Sequence, residues 1–196
     1  MSNCDFKIAT SIMEDACNPV KKGLKKLGYI ANFEDITFTR ESGTNKYSGF
    51  TLKTGANLYQ IYQSGKSPFT GKTSELQAGD YRNTWNKTVP FVILNSGEDV
   101  SHNIIDKLAN GKFVVILENN FAGTSNDNLF EVVGSETGLC ASEGNNEAYN
   151  ESYGGGWSMT LVEENAPSSA LYLLDTDEAT TRADIEAALE SDDNND

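Results

Sequence analysis

From Gly28 onward the chain is dominated by short runs of apolar and β-branched residues separated by turn residues. Gly28–Phe33, Ile36–Arg40 and Gly49–Lys53 are rich in Ile, Thr, Phe and Tyr, and Ser42-Gly43-Thr44-Asn45 supplies a hairpin tip. Leu58–Gln63 alternates apolar and polar positions, which predicts another strand. Val89–Leu94 and Lys112–Glu118 are largely apolar, and Leu129–Val133, Trp157–Glu163 and Leu171–Leu174 complete the set. Strands this closely spaced pair most simply as antiparallel neighbours.

Glu98–Asn110 has the clearest helical period. Val100, Ile104, Ile105 and Leu108 fall on one face, and Gly111 stands where a C-terminal cap belongs. Ile104, Ile105 and Leu108 are therefore expected in the core, together with Trp157. Strand, helix and strand follow one another from Val89 to Glu118 in the manner of a crossover, whereas the other strands look hairpin-linked. The pattern predicts a mainly β fold, an antiparallel β-sandwich or barrel with one flanking α-helix at about 98–110 and a short C-terminal helix. Thr176 or Asp177 can cap that last helix, which carries Ile185, Ala188 and Leu189 and frays into Ser191–Asp196. The expected organisation is an irregular arm over 1–27, interrupted by Asn18-Pro19 and Gly23, then a single domain over 28–175, then helix and acidic tail over 176–196.

Residues 64–88 are polar and Gly-rich yet hold Phe69, Tyr81 and Trp85. Loops beyond ~12–15 residues without secondary structure are uncommon in compact domains and usually functional. This segment is expected to be an extended loop or mobile hairpin that packs on a partner subunit, with Phe69, Tyr81 and Trp85 as its anchors. The alternative is a local hairpin that covers its own sheet.

Charge narrows the functional classes. The formal net charge of −14 argues against a nucleic-acid binder, because phosphate affinity comes from clustered Lys and Arg. Passive repulsion of DNA by an acidic conduit stays compatible with it. Residues 1–30 hold five lysines, Lys7, Lys21, Lys22, Lys25 and Lys26, whereas 163–196 holds eleven acids against Arg182 alone. Opposite ends of neighbouring subunits could pair. Cys4, Cys17 and Cys140 are odd in number and widely spaced, which argues against a disulfide framework or a zinc site. The first residues lack the features of a signal peptide and no apolar run reaches the ~20 residues of a bilayer span, so a chain made in a reducing cytoplasm, with no membrane partner, is expected.

The candidates for chemistry are weak. Gly65-Lys-Ser-Pro-Phe-Thr-Gly71-Lys72-Thr73 resembles a phosphate-binding loop but has five residues between its glycines where four are required. No helix is expected after Thr73 to hold a phosphate. His102 is the only histidine and is expected on a helix surface, with no nucleophile elbow to serve. Asp175, Asp177 and Glu178, or Asp192-Asp193, could hold a hard cation weakly but lack a dedicated calcium loop. Ser142–Tyr153, with Asn145, Asn146, Tyr149 and Asn150, could bind a sugar or be a solvated hairpin tip. Gly154-Gly155-Gly156 suits a tight turn or bulge that orients Trp157. No catalytic residue, metal or cofactor is indicated, so a non-enzymatic interaction module is expected.

Phe130-Glu-Val-Val-Gly134, Gly138-Leu139, Gly154-Gly-Gly-Trp157 with Met159-Thr-Leu-Val162 and Glu163-Glu164 behind it, and Leu171–Asp175 followed by Thr180-Thr181-Arg182 occur in an order that resembles virion proteins of tailed phages of gut Bacteroidetes, the crAss-like phages. The likeness is to tail-tube and tail-ring subunits and covers about a quarter of the chain. It implies a β-sandwich with a flanking helix that assembles as a homo-oligomeric ring, reaches a neighbouring ring with a long loop, and encloses a channel through which genomic DNA passes unbound. It also implies localisation to the virion, with the portal, adjacent rings, the tail hub or the capsid as partners. An auxiliary capsid or head-decoration protein and a stand-alone carbohydrate-binding β-sandwich are the alternatives.

Overall fold

Eleven strands in two sheets form the framework of the computed structural model, which describes residues 7–13, 17, 19–123 and 125–189. The expected fraying tail, with Asp192-Asp193, and Cys4 lie outside the described residues. The strands are β1 (Leu24–Asn32), β2 (Ile36–Arg40), β3 (Lys46–Leu52), β4 (Tyr59–Tyr62), β5 (Thr73–Gln77), β6 (Thr84–Ile93), β7 (Phe113–Asn119), β8 (Phe130–Val133), β9 (Cys140–Asn146), β10 (Trp157–Ala166) and β11 (Leu171–Leu173). One sheet has the order β2-β3-β11-β8-β7-β1-β4 and the other β5-β6-β10-β9. All pairings are antiparallel except β11 with β3. The fold is mainly β, as the apolar pattern predicts, a two-sheet sandwich with helices added.

β7 explains how the layers join. Phe113 to Glu118 are all buried, because the strand is covered on both faces. Val115 and Leu117 face the four-stranded sheet and meet Val89, Phe91, Met159 and Leu161. Val114 and Ile116 face the other way and share a second core with Tyr29, Phe130, Val132, Leu171 and Ile185. Each such aliphatic side chain removed from water contributes roughly 1.5–3 kcal/mol.

The second core is closed by α3 (Glu178–Ala187), whose Ile185 points into it. Asp177, one of the two expected caps, accepts the Thr180 N–H at 2.7 Å. This satisfies one of the amides left free at the start of the helix. The other end of α3 is tied down by the Leu58 N–H, which donates to Ala188 O at 2.7 Å.

The expected helix at 98–110 is not a regular α-helix. It starts as α1 (Glu98–Val100), widens into a π turn over Ser101–Ile105 and closes as α2 (Asp106–Asn110), with the Asp106 N–H reaching back five residues to Ser101 O. The wide turn rotates the residues after it about the helix axis. Val100, Ile105 and Leu108 are buried, whereas Ile104 is 40% exposed, so the placement of Ile104 in the core is corrected. The segment joins β6 of one sheet to β7 of the other and is not a crossover within a sheet. Gly111 is the C-terminal cap, as expected, with an extended backbone; glycine is required for space, since a Cβ there would lie 2.8 Å from Lys107 O.

Two strands escape the apolar pattern. β5 falls inside the expected loop over 64–88, and β9 covers the first half of the expected polar loop over 142–153. Past the end of β5, the Gln63 side chain takes over the vacant edge of β6. Its carboxamide accepts from Val92 N–H and donates to Val92 O, both at 2.9 Å. Trp157 is only partly buried and packs on the margin of the core, with Gly154 and Gly155 at positive φ in the turn before it.

Candidate functional site

Buried charge is the feature that most distinguishes this sandwich. Lys87, Glu118, Glu131 and Glu163 are each no more than 5% exposed. Ionised groups removed from water must be paired or hydrogen-bonded, and every one of the four has such a partner.

Lys87 on β6 and Glu163 on β10 are register partners, with Nζ 3.0 Å from Oε2. The approach makes an ion pair whose angles fall outside hydrogen-bond geometry, since Lys87 Nζ has no hydrogen-bond partner. Glu163 also accepts three main-chain N–H groups, from Gly134, Glu136 and Thr137, each at 3.0 Å. Those amides belong to the turn after β8, so one carboxylate stitches the smaller sheet to the larger. Glu136 continues the cluster at 3.6 Å from Lys87 Nζ, accepts from the Ser168 hydroxyl at 2.7 Å, and meets Arg40 at 3.4 Å.

Glu118 at the end of β7 receives Lys25 at 2.5 Å and the guanidinium of Arg182 from α3. Burial pushes its carboxyl up, but hydrogen bonds from Arg182 and Lys25 outweigh it and hold Glu118 below the usual carboxylate range. Its own hydrogen bonds to Glu118 and Glu178 raise Arg182. Arg182 also pairs with Glu178 at 2.9 Å and lies 5.1 Å over the ring of Phe130. Glu131 is held by Lys72.

These pairs account for the residues that resembled chemistry. Lys72 of the phosphate-loop-like stretch is committed to Glu131, and Thr73 opens a strand rather than a helix. The stretch lines an open cavity of about 550 Å³ together with Lys22, Asn119, Asn120 and Glu131. His102 is exposed in the π turn. Asp177 is a helix cap and Glu178 an ion-pair partner. Among the described residues no group of three or more His, Cys, Asp or Glu is placed to hold a metal ion.

The predicted subunit anchors separate in the structure. Phe69 is 3% exposed and belongs to the core between the sheets, its ring packed over Gly28. It is not available to a partner, because the loop after Gln63 folds back and tucks the ring inward at a φ of 53°. Trp85 lies on β6, part-buried and paired in register with Leu76 and Ala166. Tyr81 alone stands clear, 103% exposed at the tip of the β5–β6 hairpin, with Leu76 at 53% on the strand leading to it. The segment is thus a hairpin packed on its own sheet with one aromatic tip, not an extended loop.

The residues that sequence reasoning overlooked are Lys87 and Glu163. The signal was parity: on β6, Lys87 shares its face with Val89 and Phe91, and on β10, Glu163 shares its face with Met159 and Leu161.

Comparison with protein-family models, with curated proteins and with solved structures found no match.

Proposed function

We propose that this chain is a non-enzymatic structural protein of a phage virion that assembles with copies of itself into a ring of the tail or head–tail connector. The observation that supports this reading is the β5–β6 hairpin, which lifts a fully exposed Tyr81 away from the body on two paired strands. A large aromatic presented this way has little to do in a lone subunit and is the kind of side chain that anchors an interface. The buried charges add to it: they are committed to ion pairs, and Glu131, which lines the open cavity, is held there by Lys72. In a ring, the net charge of −14 would repel a passing DNA backbone rather than bind it.

The test is the mass of the purified protein in solution, with negative-stain images of any large species. Closed rings with a central hole are the expected result. Replacing Ala78–Asn83 by a short Gly-Ser turn should leave β5 and β6 folded and weaken assembly. A protein that stays a single chain at all concentrations, alone and with phage connector proteins, would refute the reading, and a trimer would point to shell decoration.

A further inference from the structure

We propose that the stretch Ile8–Met13 adds as a strand to the free edge of β4 in a second copy of the chain. The inference rests on the assembly reading and names a contact for it.

The arm carries apolar side chains that none of the described residues covers. Ile8, Ile12, Met13 and Val20 are 79%, 88%, 83% and 80% exposed. Single exposed apolar residues are ordinary on a protein surface, but a cluster in one short segment marks an interaction site. Ile8-Ala9-Thr10-Ser11-Ile12-Met13 has no charge, no proline and no glycine, and it lies outside any helix or strand. As a strand it would set Ile8, Thr10 and Ile12 on one face.

The acceptor follows from a comparison of the four sheet edges. β2 carries Arg40, β5 carries Glu75 and β9 carries Glu143, whereas β4 reads Tyr59-Gln60-Ile61-Tyr62 and has no charged residue. Charge on an edge strand is a common device against pairing with another chain. β4 omits it, and leaves Tyr59 and Tyr62 at 41% and 62% exposure; Leu58 just before it already bridges to Leu189, so the edge open to a second copy is Tyr59–Tyr62. Ile61 already packs against the core between the sheets, so an added strand would extend an apolar face that exists. Strand addition to an open edge is an established mode of peptide recognition.

The occupant is a second copy for reasons of charge and reach. Copies with a net charge of −14 repel, so contact is favoured where neither surface adds negative charge, as Ile8–Met13 and Tyr59–Tyr62 do not. Lys21 and Lys22 follow the arm and favour an acidic neighbour. The subunit's own arm runs into β1, which occupies the inner side of β4, and its Ile8 and Ile12 stay exposed instead of returning to that edge. From Met13 to Leu24 an extended chain spans up to roughly 35 Å, enough to reach a neighbour.

Two full-length variants test this by light scattering, with circular dichroism melts to verify folding: an arm variant, Ile8→Asp with Ile12→Asp, and an edge variant, Gln60→Lys with Tyr62→Lys. Each should shift the oligomer toward the 21.3 kDa chain without lowering its melting temperature. Mixing the two should restore pairs, because one copy keeps a working arm and the other a working edge. Rings that survive in either variant overturn the arm contact and leave the assembly reading standing. A wild type that remains a single chain refutes assembly, and a labelled peptide of residues 7–13 then decides the contact alone. Binding to the arm variant with none to the edge variant sustains it; any other pattern overturns it.

Discussion

Lys87 and Glu163 face each other across β6 and β10 with Nζ 3.0 Å from Oε2, both wholly buried. Their surroundings are unequal, since Glu163 also holds three backbone N–H groups and Lys87 Nζ holds no hydrogen bond. Removing one member of a buried pair typically costs ~3–5 kcal/mol. Glu163→Ala is expected to reach that range, because it leaves three amides without their acceptor and the lysine with only the more distant Glu136. Lys87→Met should cost less, because the carboxylate keeps its amide donors. Urea denaturation of the two variants checks the ranking, and a reversed order would contradict the stitching role of Glu163.

Neighbouring isoleucines in the helical segment should behave differently. Ile105 is 7% exposed and Ile104 is 40% exposed on the outside of the π turn. Ile105→Ala is expected to destabilise by ~2–4 kcal/mol, and Ile104→Ala by about 0.5 kcal/mol or less. Equal losses in denaturant melts would mean that the segment is a regular α-helix.

Phe69, in the connection before β5, and Tyr81, in the connection after it, offer a similar contrast. Phe69→Ala opens a cavity between the sheets and should cost ~3–5 kcal/mol. Tyr81→Ala removes a ring that touches solvent and should leave the melting temperature unchanged. An effect of Tyr81→Ala on oligomer mass alone is the signature of an interface residue.

Stability should fall at both ends of the pH scale. Glu118 is held below the usual carboxylate range, so its contribution is present above its unfolded value of about 4.3 and is lost as pH drops through the folded one. Burial raises the phenols of Tyr29, Tyr47 and Tyr172, so their contribution is complete below about 10 and disappears as pH rises past the folded values. Asp184, raised by burial and by Asp175, works in the opposite sense at the acid end. Melting temperature against pH, for the wild type and Glu118→Gln, checks this: the variant should start lower and lose less on acidification.

The sheets were legible where apolar periodicity was strong. β6, β7, β8, β10 and β11 follow from runs such as Phe113–Leu117 that both cores need. β5 and β9 were not legible, because Thr73-Ser-Glu-Leu-Gln77 and Cys140-Ala-Ser-Glu-Gly-Asn-Asn146 lie at sheet edges and are held by backbone pairing more than by buried side chains. Ile104 was misplaced because a period of 3.6 cannot foresee a five-residue turn. Of the expected subunit anchors, Tyr81 remained outside, while Phe69 was drawn in by a backward-folding turn that no local pattern encodes.

Gln63 holds Val92 with both ends of one carboxamide, and nine residues later Lys72 is clamped to Glu131. The connection between β4 and β5 therefore has two fixed feet, and Gly65 near the first foot has open space around it. Lengthening a closed loop raises its entropy cost only logarithmically, by about 0.6 kcal/mol for each doubling. The Ser64–Lys66 stretch is thus a natural graft point, where a foreign peptide can be hung while the carboxamide isolates both sheets from its load.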